Sequence, residues 1–572
     1  MADEEDSKRR RVIVAAVLIG LGFVIIVGRL FNLQVLRAEE FTKLADRQHQ
    51  KTLAVEAGRG AIYDRSGKIL AINMEVPSVF GAPKYVVDPK ATATRLNLVL
   101  KTDVRQLESK LTSGRDFVWL ARRLEPERAE RLQGLSLDGI GVIPEGRRFY
   151  PKGAMLSHVL GFTNIDNQGL EGLERRYDAQ LRGERGRLVV EQDAFGGAVF
   201  PKELNYVAPS PGHDLVLTID EVIQYVAEQE LDEVVTRTRA AAGVVIVVEP
   251  KTGAILALAV RPTFDPNAPK GDANLWRNRA INDAYEPGST FKLVAASAAL
   301  EEQLVSPDEF IFGEDGAFAV ENTVVHDSHK NGWMTFAQVL HRSSNIGMVK
   351  VAQRLGPDKL ARAINAFGFG RKTDVDLSGE QRGLTKEPQA WSRRTLASLA
   401  MGQEIGVTPI QLVMAVSAIA NGGSLMRPFV VSEVRTSAGK TVARFDPIVR
   451  RRAVSPDTAR VMTDILRGVV LPGGTGTLAA VPGYDVAGKT GTAQKADPLT
   501  GGYSATRMVS SFVGFLPADD PKLCILVMVD EPHTARWGGI VAAPVFQRIA
   551  AQAVRHLGIL PHLEESRILA AR

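Results

Sequence analysis

Hydrophobic and polar residues are arranged differently in successive stretches of this chain, and the most pronounced change lies near the N-terminus. Residues 12–28 carry no charged side chain, and apolar residues resume beyond Arg29 as far as Leu36. A helix rises about 1.5 Å per residue, so the uncharged segment alone spans roughly 25 Å, and an arginine near its end can extend its side chain to the membrane surface. The pattern predicts one transmembrane helix over residues 12–36.

The charges beside this segment predict its orientation. Lys8, Arg9, Arg10 and Arg11 precede it directly, and the positive-inside rule places such a cluster in the cytoplasm. Residues 1–11 are then a cytoplasmic tail, and everything after about residue 37 is extracytoplasmic. A cleaved signal peptide is the alternative, but no typical small-residue cleavage site follows, so a retained single-pass anchor is favoured.

The next stretch, residues 38–225, is polar, rich in Arg and Glu, and interrupted by turn signals. We expect a mixed α/β module that carries no catalytic group. Three clusters of unusual residues occur in it, and we interpret them as turns and a salt-bridged surface in preference to a functional site. The clusters are Arg-Gly-Ala-Ile-Tyr-Asp-Arg at 59–65, Arg-Phe-Tyr-Pro at 148–151 and Gly-Leu-Glu-Gly-Leu-Glu at 169–174.

Beyond residue 226 the pattern predicts a second module. Two apolar runs, 242–249 and 254–260, flank the turn at 250–253 and predict adjacent antiparallel strands. Helical patterns dominate to about residue 425. They are followed by an amphipathic helix at 459–471, by strands at 486–493, 510–515 and 523–529, and by a closing helix at about 541–557.

These elements predict an α/β chain of the α+β type. Strands at both ends of the module, with helices between them, indicate one antiparallel sheet whose outer strands come from distant parts of the chain. We assign residues 226–560 to this module and residues 561–572 to a C-terminal tail.

Composition narrows the possible functions. The chain has 572 residues and a mass of 62.0 kDa, which exceeds a single hydrophobic core and requires at least two domains. A net charge of +5 without a basic stripe argues against nucleic-acid binding. The one cysteine, Cys524, lies in a strand-like apolar run and cannot form an internal disulfide. Because the sequence also contains no Cys or His cluster, we expect neither a metal nor a cofactor.

A candidate nucleophile follows the breaker pair Pro287-Gly288. Ser289 and Lys292 stand three residues apart at the start of an apolar run, and in a helix beginning at Ser289 they share one face. Lys292 can then reach the Ser289 oxygen, which lies at the positive end of the helix dipole. The spacing alone is weak, because most such pairs are solvated helix faces.

Two further clusters follow in an informative order. Ser343-Ser344-Asn345 lies between two helical patterns and offers a hydroxyl and an amide, and Lys489-Thr490-Gly491-Thr492 lies on a predicted strand. Each alone is more often a turn or a strand end. Together with Ser289 and Lys292 they match the Ser-x-x-Lys, Ser-x-Asn and Lys-Thr-Gly signature of β-lactamases and penicillin-binding proteins.

Nearly the whole chain resembles the class B penicillin-binding proteins, which are peptidoglycan D,D-transpeptidases, and it is most similar to their cell-division (FtsI) type. The three clusters before residue 175 carry this resemblance, as do Tyr-Glu-Pro-Gly-Ser at 285–289, Gly-Gln-Glu at 402–404 and Ala-Gly-Lys-Thr-Gly-Thr at 487–492. Ser-Ser-Asn in place of Ser-Asp-Asn favours the transpeptidase branch. Some relatives carry further C-terminal modules, which are not expected here. The resemblance implies a pedestal or dimerisation-like domain at 38–225 and a penicillin-binding transpeptidase domain, similar to β-lactamases, at 226–560.

Each motif residue has a chemical role in such a site. Ser289 is the nucleophile, and Lys292 is its base only when neutral, whereas an ordinary lysine is neutral in roughly one molecule in 2,500 at pH 7. Burial and the charge of Lys489 are expected to lower its pKa. Ser343 relays a proton, and Asn345 binds Lys292 or the substrate. Thr490 and Thr492 bind a carboxylate, Gly491 allows close approach of a peptide, and the N–H groups of Ser289 and Thr492 form an oxyanion hole.

The resemblance also implies substrate, partners and location. Stem peptides ending in D-Ala-D-Ala are the donors, and β-lactams react with the same serine. A glycosyltransferase of the FtsW type and other division proteins are the expected partners, in a bacterial inner membrane with the catalytic domain outside the cytoplasm. Three alternatives remain: an elongation-type transpeptidase, a carboxypeptidase or β-lactamase, and a catalytically silent scaffold or antibiotic sensor.

Overall fold

The computed structural model describes residues 2–41, 50–55, 57–115, 117–192, 198–199, 205–321, 323–497 and 502–561. These residues fall into two compact units. One contains residues 1–58 and 183–210, and the other contains residues 59–182 and 211–572. Apart from Pro561, the predicted C-terminal tail lies outside the described residues.

The strands follow one another along the chain as short elements. In chain order they are β1 (Gln50–Val55), β2 (Ile62–Tyr63), β3 (Ile69–Gly81), β4 (Val118–Ala121), β5 (Ile140–Phe149), β6 (Gly186–Gln192), β7 (Ala198–Val199), β8 (Asn205–Val207), β9 (Asp214–Leu217), β10 (Ala242–Val248), β11 (Ile255–Arg261), β12 (Phe310–Phe312), β13 (Ala317–Val320), β14 (Thr323–His326), β15 (Trp333–Thr335), β16 (Ser424–Met426), β17 (Val431–Arg435), β18 (Thr441–Arg444), β19 (Val449–Arg452), β20 (Ala487–Ala496), β21 (Tyr503–Leu516) and β22 (Leu523–Asp530).

The α-helices are distributed over both units. In chain order they are α1 (Ala2–Phe31), α2 (Pro89–Leu100), α3 (Val104–Leu111), α4 (Pro126–Gln133), α5 (Ser157–Leu160), α6 (Gly172–Arg176), α7 (Asp178–Arg182), α8 (Glu221–Thr238), α9 (Arg279–Asn282), α10 (Lys292–Glu301), α11 (Phe336–His341), α12 (Asn345–Leu355), α13 (Pro357–Ala366), α14 (Arg393–Ala400), α15 (Pro409–Ala420), α16 (Pro456–Val470), α17 (Gly538–Val541) and α18 (Ala543–His556).

The first unit contains α1 and the sheet formed by β1, β6, β7 and β8. Among the described ranges, α1 and the wider helical turn that continues it to Leu36 form the helix long and apolar enough to cross a membrane. Its apolar side chains, such as Phe23 and Val24, are exposed. Exposed apolar residues around a helix of this length are typical of a lipid-facing segment, which fits the predicted anchor.

The five-stranded sheet of the second unit has the predicted arrangement. Its order is β11-β10-β22-β21-β20, with every neighbouring pair antiparallel. The predicted hairpin of β10 and β11 forms one edge, and β20 from the far end of the chain forms the other. Helix α15 packs on one face, and helices α8 and α18 pack on the other. Both faces of the central strands are therefore buried, which explains their uninterrupted apolar sequences.

A seven-stranded sheet joins the two predicted modules. Its order is β18-β17-β9-β2-β3-β4, with β5 also paired to β3, and the β2–β9 pair is parallel. The predicted module boundary at 225/226 falls inside helix α8, which packs against β11 and α18. A helix is not divided between domains, so we propose that the division lies before α8.

Three charged side chains of these clusters, Arg59, Arg148 and Glu174, are buried, so the interpretation as a surface is wrong for them, whereas the expected salt bridges are present. Arg59 and Arg148 both bind the Glu174 carboxylate, at 2.6 and 2.5 Å, and Arg59 also binds Asp178 at 2.8 Å. The side chain of Glu174 is completely inaccessible. Because the partners are far apart in sequence, their mutual neutralisation could not be recognised from local polarity.

We expect Glu174→Gln to lower the free energy of unfolding by about 3–5 kcal/mol, because it leaves the buried Arg148 without a carboxylate and Arg59 with only Asp178. Equilibrium denaturation of the full chain measures this loss. Glu171→Gln is the matched control, since Glu171 pairs with Arg175 only at 3.9 Å and is more exposed. Equal stability of the two variants would contradict a structural role for the buried network.

Candidate active site

Ser289 lies in a tight helical turn, Gly288–Phe291, directly before helix α10. The prediction of an α-helix starting at Ser289 is therefore displaced by three residues, because Gly288 adopts φ +57° and the chain first forms a narrower turn. Thr290 and Phe291 are buried and fix this turn, and the Thr290 hydroxyl donates to the Pro287 carbonyl oxygen at 2.8 Å. Ser289 itself is half-buried, so its hydroxyl is accessible.

The side chain of Lys292 is completely buried and binds away from Ser289. Its amine donates to the Ser343 carbonyl oxygen at 2.6 Å and to the Asn345 side-chain oxygen at 2.7 Å. The predicted bond between Lys292 and the Ser289 hydroxyl is absent among the hydrogen bonds of the described residues. The first turn of α10 instead directs the amine toward the turn between α11 and α12.

The Ser343 hydroxyl connects the two lysines of the site. It accepts from Lys489 Nζ at 2.9 Å and lies 3.3 Å from Lys292 Nζ. Lys489 is also fully buried, although it lies on the edge strand β20. Ser343 adopts φ +58°, an unusual conformation for a residue with a side chain, and such conformations are concentrated at functional sites.

Burial changes the protonation of both amines. It lowers the pKa of Lys292 to about 7, while the charge of Asp327 acts in the opposite direction. Burial, and then the charge of Lys292, lower the pKa of Lys489 well below its usual range. Two buried ammonium groups that share one hydroxyl repel each other, so the two amines together carry fewer than two positive charges near neutral pH.

Asp327 positions the central motif and was missed from the sequence. Its carboxylate accepts from the backbone N–H groups of Asn345 and Ile346, at 2.6 and 3.1 Å, and from the Ser344 hydroxyl at 2.7 Å. These bonds satisfy the free N–H groups at the start of α12. A single aspartate after β14 has no spacing signal that connects it to the Ser-Ser-Asn motif, so only the tertiary structure reveals this contact.

Strand β20 carries the third motif along the free edge of the sheet. The Thr490 hydroxyl lies 2.8 Å from that of Thr475, and the half-exposed Thr492 hydroxyl accepts from the Gly538 N–H at 3.0 Å. A Cβ on Gly491 would clash with the Ser511 hydroxyl and lie 2.9 Å from the Thr290 methyl group. Glycine therefore allows β20 to lie directly against the turn that contains Ser289.

A second set of polar contacts holds the nucleophile turn from behind. The Gly288 N–H donates to the Gly402 carbonyl oxygen at 3.0 Å, and the Glu404 N–H donates to the Glu286 carboxylate at 2.8 Å. Tyr503 donates its hydroxyl to the same carboxylate at 3.1 Å. The Gly-Gln-Glu stretch thus supports the turn through its backbone.

The site combines the groups that acyl transfer needs. Neighbouring elements supply the accessible hydroxyl of Ser289 and the buried amine of Lys292, with a pKa near neutrality. They also supply the bridging hydroxyl of Ser343 and the two threonine hydroxyls on the open edge of β20. In the part of the chain that the structure describes, no group of three or more His, Cys, Asp or Glu side chains could hold a metal ion.

Comparison with known proteins gives consistent matches over this chain. Residues 243–551 match the family model described as the penicillin binding protein transpeptidase domain, and residues 54–217 match the penicillin-binding protein dimerisation domain. Stage V sporulation protein D of Bacillus subtilis is 37% identical over 97% of this chain and 86% of its own length. Peptidoglycan D,D-transpeptidase FtsI of Escherichia coli K12 is 32% identical over 97% of this chain and 93% of its own. The crystal structure of penicillin binding protein 3 from Mycobacterium tuberculosis in complex with aztreonam superimposes with a TM-score of 0.70 and 29% identity, and it covers 89% of this chain and 98% of that one.

Proposed function

Because this chain belongs to the class B penicillin-binding proteins, with their transpeptidase and dimerisation domains, we propose that it cross-links peptidoglycan stem peptides through an acyl-enzyme on Ser289. The observation that carries this proposal is the pair of buried lysines joined by the Ser343 hydroxyl beside an accessible serine. No cofactor is needed, since one peptide bond is broken and another is formed.

Acylation begins with neutral Lys292, which takes the proton of the Ser289 hydroxyl as the serine oxygen attacks the penultimate D-Ala carbonyl carbon. The backbone N–H groups of Ser289 and Thr492 stabilise the negative carbonyl oxygen. Lys292 then passes this proton to the nitrogen of the terminal D-Ala through the Ser343 hydroxyl, which Lys489 holds in place, and so becomes neutral again. The peptide bond breaks, D-Ala leaves as the free amine, and the donor remains as an ester of Ser289.

Deacylation reverses these roles. An amine of a neighbouring stem peptide attacks the ester carbonyl, and its proton passes to the lysine–serine network while the Ser289 oxygen leaves and recovers a proton. A new peptide bond joins the two stem peptides. The donor lies along the free edge of β20 as an added strand, with its terminal carboxylate at Thr490 and Thr492. β-Lactams acylate Ser289 by the same route.

The rate of acylation is expected to rise with pH, with a midpoint near 7. The pKa of Lys292 is lowered by burial to about 7, so the amine is protonated and inactive below this value and acts as a base above it. Second-order rates with a fluorescent penicillin between pH 5.5 and 9 test this expectation. A midpoint near the usual lysine pKa of about 10.4 would remove Lys292 from the role of base.

Transpeptidation and hydrolysis differ in the acceptor. With a donor peptide and a D-amino acid, purified protein should form the aminolysis product as well as the hydrolysis product. Hydrolysis alone would identify a carboxypeptidase or a β-lactamase.

The place of synthesis is a separate question: we assign the enzyme to the division septum, and a tagged protein on the lateral wall would instead indicate elongation.

Helix α1 is proposed to anchor the protein in the inner membrane, with residues 1–11 in the cytoplasm and the catalytic unit outside. The exposed apolar surface of α1 supports contact with lipid and with a polytopic FtsW-type glycosyltransferase. Exchanging residues 1–40 for an unrelated membrane anchor should then abolish recruitment to this partner while penicillin still acylates the protein. Unchanged recruitment would exclude α1 as the contact.

A further inference from the structure

A cavity away from the Ser289 motifs is lined by four cationic and three anionic side chains. It encloses about 560 Å³ between helix α6, the loop 372–380 and strand β17. This volume lies within the usual range of small-molecule sites. Aromatic side chains form part of its wall, so it offers both apolar and charged surface. These aromatic residues are Tyr177, Phe429 and Phe445.

The carboxylates of this wall are already occupied. Asp376 accepts from the N–H groups of Val430 and Val431, at 2.7 and 2.8 Å, and Glu380 accepts from the Thr373 hydroxyl at 2.6 Å. The remaining carboxylate of the loop, on Asp374, is bound by Arg450 at 2.7 Å. Among the described residues, none of the three forms an ion pair with Arg176, Lys372 or Arg427.

The cations of the wall have no such partners. Among the described residues, the side chains of Arg176, Lys372 and Arg427 form no hydrogen bond or ion pair. Arg176 comes from the end of α6, whereas the other two come from the transpeptidase module, so both modules contribute cations to the wall of the cavity. Burial raises the pKa of the Tyr177 phenol, and Arg176 and Arg427 oppose this effect, which places both guanidinium groups close to the phenol.

Further positive charge lies beside the loop, because Arg450 donates to the Lys372 carbonyl oxygen at 2.7 Å as well as to Asp374. Burial lowers the pKa of Arg451, and the nearby charges of Arg450 and Arg371 lower it further. Guanidinium groups present paired donors that match carboxylate and phosphate oxygens.

We propose that this cavity is a binding site for an organic anion with at least two negatively charged groups, held by Arg176, Arg427 and Lys372, with its apolar part against Tyr177 and Phe445. Carboxylates of a stem peptide and a pyrophosphate group share this chemistry. The inference goes beyond the proposed transpeptidase activity, since none of these residues belongs to the Ser289 site.

Isothermal titration of the full-length protein in phosphate-free buffer tests the site with two probes, inorganic pyrophosphate and an uncross-linked disaccharide pentapeptide. Arg176→Gln combined with Arg427→Gln should weaken binding of at least one probe by about tenfold or more, the loss expected when charge-assisted hydrogen bonds are removed. The matched control combines Arg237→Gln and Arg460→Gln, two exposed arginines outside the cavity, and should bind as the parent does.

The probe that responds identifies the source of the anion, phosphate or stem-peptide carboxylate, and either response supports the site. Lys372→Gln gives an independent test if the double variant does not fold, because Lys372 is exposed and forms no side-chain contact that folding depends on among the described residues. The proposal is overturned if neither probe binds at millimolar concentration, or if the cavity variants bind both probes as tightly as the parent. The parent and the cavity variants have the same Ser289 site, so a difference in binding between them comes from the cavity. The proposed anion site is therefore tested independently of the transpeptidase assay.

Discussion

Ser289→Ala is expected to abolish covalent labelling by penicillin and all transpeptidation, because no other hydroxyl occupies the accessible position of the nucleophile turn. The Ser343 hydroxyl is already engaged by Lys489 and cannot replace it without breaking the bridge between the lysines. Mass spectrometry of the full-length protein after incubation with penicillin should show an adduct on the parent and none on the variant.

A matched control is available about two helix turns away. Ser297 lies on α10, is fully buried, and its hydroxyl has no hydrogen-bond partner, so Ser297→Ala removes no hydrogen bond. This control should be labelled at the parental rate. In cells depleted of the parent protein, Ser289→Ala should fail to support growth; continued growth would establish the scaffold alternative and reject the mechanism proposed here.

Lys292→Met is expected to lower the rate of acylation by about 10²–10⁴, the usual contribution of a general base. Methionine is close in length and carries no charge, so the substitution removes the base without placing an unpaired charge in the interior. Some acylation should remain through the oxyanion hole and substrate binding. Stopped-flow rates with a fluorescent penicillin measure the loss.

The pH dependence distinguishes a lost base from a distorted fold. The parent should gain activity through pH 7, whereas Lys292→Met should lose this rise, because the group that titrates is gone. Lys359→Met, which removes a partly exposed lysine paired with Glu302 at 2.8 Å, should keep both the rate and the pH profile. A parental profile in Lys292→Met, at reduced rate, would show that another group is the base.

The sequence predicted the helices and strands whose structure is determined by a single local property, such as an apolar run or a helix cap. Uninterrupted apolar runs identified β10, β11, β21 and β22, because strands buried on both faces tolerate few polar residues. The predicted helix at 459–471 corresponds to α16, which begins slightly earlier because Ser455 caps it and Pro456 occupies its first turn. Ser289, Lys292, Ser343, Asn345 and Lys489 could be singled out because their order along the chain is distinctive.

Contacts between distant residues were not predictable in the same way. Asp327 carries no sequence signal that connects it with Asn345, and the sequence predicted an effect of charge between the two lysines but did not show that the Ser343 hydroxyl lies between them. The expected direct bond from Lys292 to Ser289 is absent because the Lys292 amine is bound to the Ser343 carbonyl oxygen and the Asn345 side chain. Polarity likewise suggested a surface for Glu174, since burial of a carboxylate depends on partners that only the fold supplies.

The seven-stranded sheet restricts how this protein can be rearranged by recombination or engineering. Strand β9 lies between β2 from the N-terminal module and β17 from the catalytic module, so each module completes its sheet with strands of the other. A gene fragment cut at residue 226 would lose β9 and the first turn of α8 together. The catalytic module is therefore not an interchangeable cassette, and a chimaera that borrows it must also bring compatible versions of β2 and β9.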